Sequence, residues 1–346
     1  MQQEVLLKNL PPPVANNVQF GKKLIDIVPS DDPGGAFCKF SDNTVEGPFD
    51  MIIGCDGIKS PVKEYIETGA IQKVGNTGIY SGIRIKWAVK DGKDDDKEHP
   101  TTAALTQYFA DGVYGLGGIY GTGAGKPPSK CALLISLDPA YFGPFKKKDY
   151  KEEITIDENA DWAQDVRKKL EEGQANMLAQ VRSSNLTYFE LEPTISNADR
   201  FFEIGVYFHN PFTLKGWSKE ISKGSSAVLC GDAAHAMPPF LGQGANQAIQ
   251  DAYTLSKVIC EHNTMARGSL INAENENKTL TDLLKDYERT RWPPTASITV
   301  KSVVLGYLET GGFGGAYAKF RDVFFRFMGS VGVATKVLLD AATPKL

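Results

Sequence analysis

An apolar strand that runs directly into a glycine-aspartate turn, a proline pair and a glycine-rich helix start constrains this chain more than any other feature. It lies between Ser225 and Cys260 and reads SSAVLCGDAAHAMPPFLGQGANQAIQDAYTLSKVIC. The strand ends at Gly231-Asp232, which sets a carboxylate at the carboxyl edge of a sheet, where ligands of open α/β sheets gather. Pro238-Pro239 stiffens the loop. Gly242 and Gly244 then strip side chains from the next helix start and expose backbone N–H groups. Those groups and the helix dipole favour an anion, or negative charge developing on a bound ring. Asp232 can accept two hydrogen bonds from the hydroxyls of a sugar or sugar alcohol. Taken singly, Gly-Asp is a turn and Pro-Pro a lead-in to a helix. The whole string is the specific signal, because glycines at a helix start weaken a purely structural element. From residue 244 to 259, apolar residues recur at Ala245, Ala248, Ile249, Ala252, Leu255 and Ile259, a helical period.

A second string, DMIIGCDGIKSPVK at residues 50–63, repeats the pattern of a strand followed by a tight acidic-glycine turn. Its continuous apolar centre suits a strand covered on both faces. Asp56-Gly57 ends the strand, so Asp56 can reach a ribose or order a phosphate loop, and Lys63 can supply positive charge. Alone, the segment reads equally as a plain β-turn.

Composition narrows the rest. The 346 residues are 42% hydrophobic and 23% charged, with a net charge of −4. That mixture supplies a sizeable core and argues against disorder and against a basic nucleic-acid-binding surface. The five cysteines, Cys38, Cys55, Cys131, Cys230 and Cys260, stand far apart with no CxxC pair. This fits reduced, buried thiols better than a disulfide framework or a zinc site. His99, His209, His235 and His262 show no metal-ligand spacing, and no metal is expected. No apolar run is long enough for a transmembrane helix. The opening MQQEVLLKNLPPP reads as the end of an amphipathic helix halted by prolines.

Short β-like runs cover 18–28, 36–40 and 49–54. At 79–89, Ile79, Ile83, Ile85, Trp87 and Val89 share one face, with Arg84 and Lys86 on the other. Residues 91–98 form an acidic, solvated loop. Strands are expected at 131–137, 201–208 and 225–231, and a polar helix at 161–182. A mostly helical tail from Leu280 is expected to be interrupted at Trp292-Pro293-Pro294 and at 311–315. This order implies a mixed α/β chain. One α/β domain, formed by 1–75 and 205–300, is interrupted by a β-sheet domain at 76–204 and followed by C-terminal helices at 301–346.

Together the two strings closely resemble the FAD-dependent aromatic hydroxylases, the p-hydroxybenzoate hydroxylase type that includes salicylate hydroxylase-like and zeaxanthin epoxidase-like enzymes. The resemblance rests on Gly231, Asp232, Ala233, Ala234, His235, Pro238, Pro239, Gly242, Gln243, Gly244 and Asn246, and on Asp56 and Gly57. Tyr80-Ser81-Gly82 and Trp217 extend it along the chain. It implies an FAD-binding, Rossmann-like domain and places Gly231 and Asp232 at the flavin's ribityl or neighbouring hydroxyls. Gly242, Gln243, Gly244, Ala245 and Asn246 would face the pyrimidine edge of the ring, and Pro238 and Pro239 its reactive face. Asp56 and Gly57 would lie near the pyrophosphate, and Gln2 would touch the ribityl chain. Lys63 stands where the family carries Arg and lacks its bidentate fork. His235 reads as a satisfied loop histidine, and no residue is assigned as catalytic.

Relatives begin with a strand, a GxGxxG turn and a helix that grips the pyrophosphate. No such turn occurs here. Neither the tract GVYGLGGIYGTGAG at 112–125 nor GFGGAY at 312–317 has the spacing. The expectation is a family member without its first βαβ unit. The resemblance implies a monooxygenase using FAD, NADPH or NADH, and O2 to hydroxylate or epoxidise a small hydrophobic or aromatic molecule through a flavin C4a-hydroperoxide. The alternative is an inactive relative acting as a non-enzymatic partner or an unstable fragment. A halogenase is disfavoured because no WxWxIP-type segment is present. A cytoplasmic location without stable membrane attachment is expected, with the oligomeric state open.

Overall fold

The computed structural model describes residues 2–31, 35–72, 78–92, 105–110, 112–120, 127–142, 162–184, 186, 191–213, 215–266, 278–311 and 315–330, and residues 332, 336, 339 and 343 of the tail. Most of the acidic run at 91–98 and the glycines at 121–125 lie outside these residues. Three sheets organise the described residues. The first is antiparallel: β1 (Leu24–Pro29), β2 (Ala36–Phe40) and β3 (Val45–Phe49), in that order. The second joins segments distant in sequence. Here β4 (Met51–Gly54) runs parallel to β11 (Ser225–Leu229), with Leu229 opposite Gly54, and β10 (Ser218–Ser222) pairs antiparallel with the far side of β11. The third has the order β6-β7-β8-β5-β9, from β5 (Ile79–Lys90), β6 (Leu105–Ala110), β7 (Val113–Tyr120), β8 (Ser129–Leu137) and β9 (Arg200–Phe208).

The helices are α1 (Gln2–Lys8), α2 (Pro12–Ala15), α3 (Pro61–Thr68), α4 (Pro139–Phe142), α5 (Trp162–Ser183), α6 (Leu191–Ser196), α7 (Asp232–His235), α8 (Gly244–Ala266), α9 (Leu280–Thr310) and α10 (Gly315–Ser330). Among the described residues, no helix is long and apolar enough to cross a membrane. Strand β11 is buried at every position, as a continuous apolar run covered on both faces should be. β4 departs from that expectation: Ile52 is buried, but Ile53 is 42% exposed. α3 covers one face of β4, where a Cβ on Gly54 would stand 2.7 Å from Val62 Cβ.

The five-stranded sheet sits between two apolar layers. Ala88, Val113, Ala132 and Leu134 meet Met177, Val181, Leu191 and Ile195 from α5 and α6. Ile83, Ile85, Tyr114, Ile135 and Val206 meet Phe240 and Tyr307 on the opposite face. The glycine-rich stretch before residue 121 is strand β7, half of a hairpin with β6. Its glycines admit the helix above it: a Cβ on Gly117 would be 3.4 Å from Leu191 Cδ2. Arg84 and Lys86 alternate with Ala88 onto the α5 side, and Lys86 Nζ donates to Gln180 at 3.0 Å. That face is covered by helices rather than wet.

α9 differs most from the sequence expectation, because it continues without a break through Pro293 and Pro294. It begins with a reciprocal capping box between Thr279 and Asp282. The prolines remove two intrahelical donors. The helix nonetheless continues through them, and Thr295 Oγ1 donates to the carbonyls of Arg291 and Trp292 at 2.9 and 3.0 Å. The helix also runs across the division drawn at 300/301, and β9 across that at 204/205.

In its last turns α9 grips the loop that follows α7. Ser302 Oγ donates to Pro238 O at 2.6 Å, and Tyr307 Oη to Ser81 O at 2.6 Å. Gly306 is the seat for Phe240: a Cβ there would stand 2.2 Å from Phe240 Cε2. Gly306→Ala is therefore expected to cost about 1–3 kcal/mol through overpacking. Urea unfolding would check this, and Phe240→Leu in the same chain should recover part of the loss.

Candidate functional site

The parallel pairing of β4 with β11 carries both acidic-glycine turns to one edge of the sheet. Cys55, Asp56 and Gly57 leave β4 beside Cys230, Gly231 and Asp232 leaving β11. Gly231 has φ +63°, a conformation that disfavours any side chain, and a Cβ there would meet Ala248 Cβ at 3.1 Å. The turn thus presses directly onto α8. The Asp232 side chain is exposed and lies over the start of that helix, where a Cβ on Gly244 would stand 3.8 Å from its Oδ1.

Pro238 is buried and Pro239 exposed; Pro239 opens a 3-10 turn ending at Gly242, with φ +62° and open space where a Cβ would stand. Gln243 is buried and donates to Leu241 O at 3.2 Å, and Asn246 Nδ2 donates to Gln243 Oε1 at 3.0 Å. Ala245 and Asn246 are exposed. The structure therefore gathers Gly231, Asp232, Gly242, Gly244, Ala245 and Asn246 into one ledge at the amide-rich start of α8, with Asp232, Gly242, Ala245 and Asn246 exposed and Gly231 buried beneath them. A carboxylate and side-chain-free amides on such a ledge suit a polyhydroxylated chain attached to an electron-rich ring.

Asp56 lies at the same edge, and its Oδ2 accepts from Val62 N at 3.4 Å, across the start of α3. Gly57 has φ +79° with nothing within 4 Å of a Cβ position. Lys63 is not directed at this edge. It is 3% exposed and pairs with Glu67 at 2.9 Å, so it is unavailable to a phosphate. Gln2 begins α1, and its side chain lies outside the described residues.

Beneath the ledge is a network that the sequence reading did not anticipate. Asp251 is fully buried. It accepts from Gly231 N at 2.9 Å, contacts His235 Nε2 at 2.5 Å, and receives Arg291 Nε at 2.7 Å. The other Arg291 nitrogens reach Gln250 Oε1 at 3.0 Å and Gln247 Oε1 at 2.7 Å. Burial alone would raise the Asp251 carboxyl, but His235, Arg291 and the Gly231 amide outweigh it and hold it below its ordinary range. His235 is thus a structural member of the turn, packed 5.4 Å from the Trp217 ring. The available signal was the i, i+3, i+4 spacing of Gln247, Gln250 and Asp251, one polar face of α8. That face points inward, whereas Ile249, read as part of an apolar stripe, is 69% exposed.

The sheet face opposite α5 and α6 continues the site. Facing it on α9, close to Tyr114, is Glu309, whose carboxyl burial pushes up to about 8. The buried Tyr114 phenol is raised by its own desolvation and then by the Glu309 charge. Arg84 faces the other side, where it pairs with Glu203 at 2.7 Å. Tyr108 packs with the α5–α6 layer.

Comparison with known proteins fits this geometry. Residues 215–280, which span β10, β11, the ledge and α8, match the family model described as FAD binding domain. FAD-dependent monooxygenase idtM of Claviceps paspali is 26% identical over 250 residues, 71% of this chain and 44% of that protein. Salicylate hydroxylase of Pseudomonas putida is 24% identical over 314 residues, 88% of this chain and 60% of that enzyme. Over these stretches the chain is similar to FAD-dependent monooxygenases. It spans less than two thirds of the length of either relative. Among solved structures, Klebsiella pneumoniae HpxO complexed with FAD and uric acid superposes with a TM-score of 0.59 at 17% identity, over 93% of this chain and 67% of that one. A salicylate hydroxylase substrate complex gives 0.56 at 16%, over 99% and 74%. These likenesses establish the mixed α/β fold.

Two predictions follow from the buried charges. Asp251→Ala strands Arg291 without its counterion and is expected to cost about 3–5 kcal/mol of stability by chemical denaturation. Glu309 predicts a pH slope. Its folded value near 8 lies above the ordinary 4.5, so between those limits the fold holds a proton that the unfolded chain has released. Stability should then fall as pH rises through the window, by up to ~1.4 kcal/mol per pH unit. Glu309→Gln should flatten that slope in melts recorded from pH 5 to 8.

Proposed function

We propose that this chain binds FAD on the ledge at the start of α8 and acts as an NAD(P)H- and O2-dependent monooxygenase on a small hydrophobic or aromatic molecule. The carrying observation is the convergence of both strand ends on that ledge, with the Asp232 carboxylate beside the side-chain-free Gly244. Asp232 and the Gly231 turn would hold flavin hydroxyls. The backbone of Gly242, Gln243, Gly244, Ala245 and Asn246 would face the electron-rich edge of the ring, with charge there stabilised by helix-start amides. Pro238 and Pro239 would flank the ring, and the Asp56-Gly57 turn would shape the pyrophosphate side. FAD, when bound, supplies the redox chemistry by accepting hydride from the nicotinamide and activating O2.

The protein's part in that chemistry is placement and exclusion of water. The apolar face of Ile83, Ile85, Ile135 and Val206, with Phe240 above it, supports a hydrophobic substrate wall next to the proline loop. The relatives' names support an aromatic substrate class: one is a salicylate hydroxylase, and another, from Aspergillus niger, is a kynurenine 3-monooxygenase, 42% identical over 52 residues.

Purified protein titrated with FAD is expected to develop a bound-flavin spectrum between about 350 and 500 nm that bleaches on adding NADPH or NADH. Asp232→Ala should weaken FAD binding by roughly 10- to 100-fold, the loss of charge-assisted hydrogen bonds worth about 1.5–3 kcal/mol. Folded protein that leaves added FAD entirely free would refute the proposal and favour a non-enzymatic role.

A further inference from the structure

The pairing that assembles the ledge also brings together two cysteines that stand 175 positions apart, at 55 and 230. Gly54 and Leu229 are partners in the parallel ladder, and Cys230 N donates to Gly54 O at 2.9 Å. The next residue on each strand is a cysteine. Adjacent strands are spaced about 4.8 Å apart, inside the roughly 4.4–6.8 Å Cα separation that a disulfide spans. In a parallel ladder, residues at matching positions on neighbouring strands project to the same face, so the two thiols are close enough to perturb each other's ionisation.

We propose that Cys55 and Cys230 form a redox-active dithiol, a reversible modification site at the carboxyl edge of the sheet, which closes to a disulfide on reaction with a hydroperoxide. The two cysteines are not equivalent. Cys55 is exposed and Cys230 is buried. The neighbouring Cys230 thiol lowers the Cys55 thiol below its ordinary value, against partial desolvation and the nearby Asp56 and Asp251 charges. The same pairing, together with desolvation, raises Cys230. Cys55 is therefore the attacking group and Cys230 the resolving one.

The reaction balances with hydrogen peroxide as oxidant. The Cys55 thiolate attacks one peroxide oxygen, the O–O bond breaks, and hydroxide leaves to become water. The Cys55 sulfenic acid that forms is attacked by the Cys230 sulfur. The S–O bond breaks, the S–S bond forms, and the sulfenic oxygen leaves as a second water with the Cys230 proton. Two thiols are oxidised by two electrons, and one peroxide is reduced to two waters. Cys38 and Cys131 are buried in separate layers, and Cys260 lies on the outer part of α8. The proposal does not depend on the flavin reading, because thiols are counted directly.

The full chain, reduced, desalted and treated with stoichiometric hydrogen peroxide, is to be alkylated in denaturant and mapped by mass spectrometry. Two of the five cysteines should resist alkylation, the mass should fall by about 2 Da, and a Cys55–Cys230 cross-linked peptide should appear and vanish with dithiothreitol. In Cys230→Ser, Cys55 should instead be trapped by dimedone as the sulfenic acid. Either of two results in the folded wild type would overturn the proposal: both thiols still fully alkylated, or Cys55 driven to sulfinic acid with Cys230 free. The wild-type map alone decides the matter if the variant fails to fold.

Discussion

The buried pairing of Arg291 with Asp251 is the constraint on which the site depends. An ion of either sign taken out of water costs several kcal/mol unless its hydrogen-bonding capacity is met in full. Arg291 meets that demand with the side chains of Gln247, Gln250 and Asp251, all on one face of α8. Asp251 spends its second oxygen on Gly231 N and His235. Any rotation of α8 against α9 would leave a charge uncovered. The helices are thereby held in one relative setting, and the Gly231-Asp232 turn is held with them.

α9 carries that setting outward. Near its start, Glu288 accepts from Trp217 N at 3.0 Å, beside the strand that leads into β11. Tyr287 donates to Leu229 O at 3.0 Å, one residue before Cys230. Its last turns hold the proline loop through Ser302 and Gly306 and the five-stranded sheet through Tyr307. One helix thus touches the strand end, the loop and the sheet. This accounts for its passage through two prolines: the packing along its length outweighs the lost backbone bonds.

Much of the architecture was readable because its signals are local. β2 coincides with the run read at 36–40, and β5, β8, β9 and β11 fall within a few residues of their expected spans. The glycine-aspartate string identified the ledge because each residue there meets a backbone requirement, such as the positive φ of Gly231 and Gly242. Where the reading went astray, burial or a partner elsewhere in the fold decided the outcome. Lys63 read as a free cation because Glu67 did not show itself as its buried partner. The inner face of α8 was legible only in part: Leu255 and Ile259 pack inward as expected, but Ile249 is 69% exposed, and Arg291 draws Gln247, Gln250 and Asp251 inward instead. Cysteine spacing suggested buried thiols far apart, yet Cys55 and Cys260 are exposed, and the strand register sets Cys55 beside Cys230.

The sequence by itself determined the kinds of element, the two acidic-glycine turns and the amide-rich helix start, because turn conformation, strand burial and helix initiation are properties of neighbouring residues. Tertiary structure alone decided that the two turns share an edge, that a buried arginine holds one of them in place, and that the sheet presents Ile83 and Ile85 rather than Arg84 to Phe240 and Tyr307. Those outcomes follow from strand pairing across about 170 residues and from the need to neutralise a charge in the interior, neither of which leaves a periodic trace in the chain.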